Sequence, residues 1–77
     1  MKAKTGDVIE CFGCRKPVGT VVDDIPEDSK VLAQHVHIAP KTYSDNGAVC
    51  DYCNATAAFH DKQNESWTIQ VRGKRVS

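Results

Sequence analysis

Apolar residues fall in short clusters along this chain, split by polar turns, and the pattern is that of strands. Val8 and Ile9 lead into Cys11, and after Cys14 the segment Arg15-Lys16-Pro17 opens a β-branched run of Val18, Thr20, Val21 and Val22. Pro17 cannot donate a ladder hydrogen bond and suits a strand entrance, while β-branched side chains favour a pleated face. Asp23 to Asp28, with four carboxylates and Pro26, predicts an exposed acidic turn. Val31 to Ile38 fits two periods. As a strand it sets Leu32, Val36 and Ile38 on one face and His35 and His37 on the other; as a helix entered through Pro26, it groups Leu32, His35 and Val36. The His-Val-His-Ile end, with Pro40 two residues later, favours the strand. Asn46-Gly47 is a strong short turn signal before Ala48 and Val49. Ala55 to His60 predicts another strand, Asp61 to Ser66 a polar loop, and Trp67-Thr68-Ile69-Gln70-Val71 alternates cleanly with Trp67, Ile69 and Val71 on one face. A hairpin of these last two strands is expected to bring Phe59 near Trp67.

Seventy-seven residues suit a single domain, 1–77, and the ends 1–6 and 73–77 are polar enough to be expected to fray. A hydrophobic fraction of 40% is too high for a disordered chain and small in absolute terms for a self-sufficient core. Ten basic and ten acidic residues cancel, so no global field drives the chain onto polyanions. The polar start Met1-Lys2-Ala3-Lys4 has no signal-peptide run and no stretch reaches transmembrane length, which points to a cytoplasmic protein with reduced thiols.

Those thiols carry the chemistry. All four cysteines lie in two Cys-x-x-Cys pairs, Cys11-Phe-Gly-Cys14 and Cys50-Asp-Tyr-Cys53. Each pair presents two sulfurs from one turn, and two facing turns supply the tetrahedral shell that suits Zn²⁺. The interval from Cys14 to Cys50 exceeds the roughly 15–20 residues of the compact pattern and has room for an inserted hairpin. On these residues the chain resembles a zinc ribbon, in which two knuckles at β-hairpin tips clamp one ion over a small antiparallel sheet. It departs from the commonest ribbon pattern in that no glycine follows Cys14 or Cys53. The resemblance implies a small, β-rich, metal-stabilised fold with one structural Zn²⁺ on Cys11, Cys14, Cys50 and Cys53. Four thiolates close the shell against water and substrate, so no catalysis is expected at the ion. The rubredoxins also hold a single Fe with two such knuckles, but their aromatic core and acidic balance are missing here. His35, His37 and His60 lack a third ligand and are expected to serve packing or surface roles.

No nucleophile–base constellation or phosphate loop is present, so the chain is not expected to be an enzyme. The first functional expectation is a binding module for nucleic acid or its machinery. It would act through Arg15, Lys16, Arg72, Lys74 and Arg75 and through exposed aromatics such as Tyr52 or Trp67. The alternative is a protein-interaction adaptor docking through a sheet edge or the acidic turn; a rubredoxin-like Fe electron carrier is the third reading.

Overall fold

The computed structural model describes residues 1–77 as a small, curled antiparallel sheet with almost no helix. Its strands are β1 (Val8–Glu10), β2 (Pro17–Val21), β3 (Val31–Leu32), β4 (Val36–Ile38), β5 (Tyr43–Ser44), β6 (Gly47–Val49), β7 (Thr56–Asp61), β8 (Ser66–Val71) and β9 (Lys74–Val76). A single 3₁₀ turn, Ala33–His35, separates β3 from β4.

The alternating segment foreseen at Trp67 to Val71 is the organising strand. Trp67, Ile69 and Val71 all face inward, and β8 pairs on both edges: Trp67 with His60 and Val31, Gln70 with Glu10 and Arg75. The main path runs β4-β2-β1-β8-β7-β6-β5. β7 thus lies along the first half of β8 and β1 along the second, and the two half-sheets curl around a core of Ile9, Val18, Val21, Ile25, Val31 and Ile69. Only 19 of 77 residues are buried, and Cys11 and Cys50 are among them, so the fold leans on its cysteines for part of its interior.

Several expectations change. The acidic stretch does more than face solvent: Ile25 is fully buried and bridges to Ala3, while Asp24 accepts hydrogen bonds from the amide and hydroxyl of Thr5. Those donors hold its carboxyl below the usual carboxylate value. The ends expected to fray are tied down for the same reason, a non-local partner. Ala3 is buried against Ile25, Lys2 Nζ donates to the carbonyl oxygens of Ser29 and Ser77 at 2.6 Å, and residues 74–76 form β9 with Val76 in the core. Val31 to Ile38 is neither one strand nor a helix. Its 3₁₀ turn lets the carbonyl of His35 accept from both Val22 and Asp23, and it resets the alternation, so His35 is buried while His37 is exposed. The imidazole of His35 is satisfied inside, its Nδ1 accepting from the Leu32 amide at 2.9 Å. Trp67 is buried against His60 rather than Phe59, because those two are cross-strand partners and Phe59 points to the opposite face.

Glycine matters at two close approaches. The turn before β6 is centred on Asp45-Asn46, one residue earlier than the Asn46-Gly47 signal implied; Gly47 instead starts the strand, at φ +138° and hard against the Ala58 carbonyl. In β2, a Cβ on Gly19 would stand 2.3 Å from the carbonyl oxygen of His37 on β4. That neighbour is backbone and cannot swing aside. Gly19→Ala is therefore expected to pry β4 from β2 and lower stability by about 1–3 kcal/mol, read as a shift of the denaturant midpoint; an unchanged midpoint would contradict this packing.

Candidate metal centre

Each knuckle is built by the same set of backbone bonds. In the first, the Cys11 amide donates to the Lys16 carbonyl at 2.9 Å and the Arg15 amide returns to the Cys11 carbonyl at 3.0 Å. In the second, the Cys50 amide donates to the Ala55 carbonyl at 2.8 Å and the Asn54 amide to the Cys50 carbonyl at 3.0 Å. Within each turn an amide two residues on donates to the first sulfur: Gly13 to Cys11 Sγ at 3.2 Å and Tyr52 to Cys50 Sγ at 3.4 Å. Such donors stabilise a thiolate and orient it. The first cysteine of each pair is buried, Cys14 is half-buried and Cys53 exposed.

The residue after each second cysteine also repeats. Arg15 and Asn54 both have φ 63°, the left-handed conformation in which glycine is cheapest. The glycines missing from the sequence pattern are thus replaced by residues forced into the glycine conformation. Asparagine tolerates this readily; arginine does so at a cost.

Two strands of the curled sheet bring these turns together. β1 ends at Glu10 beside the second half of β8 and delivers Cys11, while β7 begins just after the second knuckle. Their contact is close: a Cβ on Gly13 would lie 2.8 Å from Ala55 Cβ and 3.1 Å from Cys53 Sγ, so the first turn has room for no larger residue there. Phe12 packs edge-on against Phe59 of β7 with ring centroids 5.2 Å apart, sealing one flank.

All four Sγ atoms lie within 4.8 Å of one another, and every cysteine is free of a disulfide. The cross-knuckle separations are 3.6 Å for Cys11–Cys53 and 3.7 Å for Cys14–Cys50. A tetrahedron with metal–sulfur bonds near 2.3 Å has edges of roughly 3.8 Å, so the shell fits one ion of that size. The fold brings together the four cysteines singled out by their spacing, in a cluster that could hold a metal ion. Burial opposes ionisation of Cys50, yet the amides of Tyr52 and Cys53 and the thiols of Cys11 and Cys14 outweigh it and bring its thiol down to about 7. The amide of Ala55 favours the Cys53 thiolate, but burial and the three neighbouring sulfurs prevail and push it up to about 11. Without a cation the cluster therefore resists holding four negative charges, and metal binding must expel protons.

The basic residues singled out in the sequence are only partly gathered. Lys16 reaches across to the second knuckle, its Nζ 4.6 Å from the centre of the Tyr52 ring, and Tyr52 is 65% exposed. Arg15 lies over the β8–β9 turn, where its guanidinium would be 3.1 Å from a Cβ on Gly73. Arg15 faces Glu10 at 3.9 Å and Arg72 pairs with Asp7 at 3.0 Å, whereas Lys74 and Arg75 have no carboxylate partner. Trp67, the other aromatic considered for stacking, is in the core. No helix is long and apolar enough to cross a membrane. Comparison of the chain with protein-family models, curated proteins and solved structures gives no match.

Replacing any one of Cys11, Cys14, Cys50 or Cys53 by Ser is expected to release the metal and unfold most of the chain, read by metal content and circular dichroism together; His37→Ala and His60→Ala should keep their ion. Arg15→Gly relieves the left-handed strain and gives up the 3.9 Å pairing with Glu10 and the cover over Gly73, so the net effect should be a gain of about 1 kcal/mol or less. Asn54→Gly should gain less. Equal or opposite effects in denaturant titration would refute the strain argument.

Proposed function

We propose that the chain is a non-catalytic, zinc-ribbon-like module in which one structural Zn²⁺ on Cys11, Cys14, Cys50 and Cys53 clamps the two knuckles, and that it acts by binding single-stranded nucleic acid on their outer face. The metal half of this reading is carried by the four-sulfur shell. Zinc is favoured over iron because a closed Cys₄ shell is a common structural zinc arrangement and nothing else around the sulfurs calls for redox chemistry. Four thiolates leave no position for a substrate, which supports a role outside catalysis.

The nucleic-acid half rests on Tyr52. It is a large aromatic ring at the tip of the second knuckle, exposed, with the Lys16 ammonium 4.6 Å from its centre. The ammonium lies over one face of the ring, which leaves the opposite face to stack on an unpaired base and the charge to meet a neighbouring phosphate, and stacking of this kind tolerates any base. Arg15 on the adjacent turn adds a second charge. A protein partner is the rival occupant of this surface; the cation–aromatic pairing favours nucleic acid.

Two measurements test the reading. Metal analysis of untreated protein should give one zinc per chain and a colourless solution; visible absorption bands would assign iron instead. Fluorescence anisotropy with a labelled oligothymidylate of about ten nucleotides should show binding that weakens steeply as salt rises. Tyr52→Ala should cost about 1–3 kcal/mol of that affinity with metal content unchanged. Absence of binding at low salt, with a protein partner recovered from lysate after nuclease treatment, would transfer the assignment to an adaptor.

A further inference from the structure

A second region of positive charge lies apart from the knuckle tips and is shaped rather than flat. An open cleft of about 470 Å³ is bounded by the β8–β9 hairpin and the N-terminal segment. Its apolar floor is Val71 and Val76, and its walls carry Lys2, Arg72, Lys74 and Arg75. Its size is within the ordinary range for small-molecule sites.

Two carboxylates, Asp7 and Glu27, also line the cleft, and both are already engaged. Asp7 accepts from Arg72 through Oδ1 at 3.0 Å and from the Lys4 amide through Oδ2 at 3.0 Å; Glu27 is 2.9 Å from the Met1 amino group, which holds its carboxyl below the usual value. Lys74 and Arg75 answer no carboxylate, so the cleft has a surplus of cations. The hairpin that carries them is a tight two-residue turn with both central residues left-handed, Arg72 at φ 54° and Gly73 at φ 75°. Such turns ordinarily take Asn, Asp or Gly at the first position. An arginine held there, paired to Asp7, is a side chain kept in place at a backbone cost, a kind of strain that gathers at ligand sites.

We propose that this cleft binds a phosphate group borne on a small organic body of nucleotide size. Arginine forks at Arg72 and Arg75 match phosphate oxygens, Lys74 supplies a point charge, Lys2 stands at the rim with its Nζ already donating to the Ser29 and Ser77 oxygens, and Val71 and Val76 offer the body an apolar seat. The cleft is lined by neither Lys16 nor Tyr52 and so is read separately from the knuckle surface, and the phosphate can be free or part of a nucleic-acid strand.

The test is an amide NMR titration of the zinc-loaded full chain with four probes: inorganic phosphate, adenosine 5′-monophosphate, adenosine, and oligothymidylate. Phosphate and the monophosphate should shift the amides of Lys2 and of residues 71–76, and adenosine should not. The double variant Lys74→Ala/Arg75→Ala should weaken monophosphate binding at least about tenfold while the remaining spectrum keeps its positions, showing that the fold survives. If the oligonucleotide also moves the cleft amides, the bound phosphate belongs to a strand; if only the free phosphates do, it is a small ligand. Either supports the site. Silence of the cleft to every phosphate-bearing probe at millimolar concentration, an equal response to adenosine, or unchanged binding by the double variant would overturn it. A cleft silent to every phosphate-bearing probe while the oligonucleotide shifts the knuckles would remove the cleft and leave the knuckle surface standing; cleft shifts with silent knuckles would do the reverse.

Discussion

Four sulfurs from two turns far apart in sequence must meet within one tetrahedral shell, and the rest of the molecule is arranged to let them. The buried interior is small, and the two innermost sulfurs belong to it. Ligation in small zinc domains is worth on the order of 10 kcal/mol, against the few that a core this size supplies. An ion held by all four sulfurs would tie the half-sheet entered through β1 to the one entered through β7, which have β8 as their common strand. Without a cation the sulfurs do not ionise alike: the thiol of Cys50 is brought down to about 7 while that of Cys53 is pushed up to about 11.

The two knuckles are a structural repeat, announced in the sequence by the two Cys-x-x-Cys pairs and carried further by the backbone. Their hydrogen bonds correspond one to one, including the amide-to-sulfur bonds of Gly13 and Tyr52 and the shared φ of Arg15 and Asn54. Between the cysteines the residues differ, Phe-Gly in one and Asp-Tyr in the other, because the turns face different surroundings. Gly13 is pressed against Ala55, whereas Tyr52 stands out in solvent. The backbone conformation is set by the demand that two sulfurs point at one ion; the side chains are then free to serve either packing or contact.

The ligand set and the central strand could be read from the chain because their signals are local. Cysteine spacing is visible within four residues, and the alternation from Trp67 to Val71 within five. What escaped was non-local. Ile25 looked like one apolar residue in an acidic turn until its bridge to Ala3 closed the sheet there, and the same bridge secures an end that appeared free. His35 looked equivalent to His37 until a 3₁₀ turn, stabilised by amides from the β2 end, rotated it inward. The exposure of Trp67 could not be judged either, since its cover comes from Tyr43 and His60 on other strands. The one local sign that went unused is the residue after each second cysteine: an asparagine there marks a left-handed position, and the matching place in the first knuckle then implies the same for Arg15.

That strained arginine links the clamp to the hairpin beyond it. Held by the knuckle, Arg15 rests over Gly73 and faces Glu10, whose carboxylate accepts from the Gly73 amide at 2.9 Å and from Gln70 at 3.3 Å. The Gly73 amide dominates in keeping the Glu10 carboxyl below its usual value, with Gln70 and Arg15 adding to it against burial. Glu10 is also the last residue of β1, immediately before Cys11. The β8–β9 turn, with Arg72 at its tip and Lys74 just beyond, is thus braced by the residues on either side of the first knuckle. The hairpin and the first knuckle are therefore joined through Arg15 and Glu10, by packing and hydrogen bonds rather than through the sulfurs themselves.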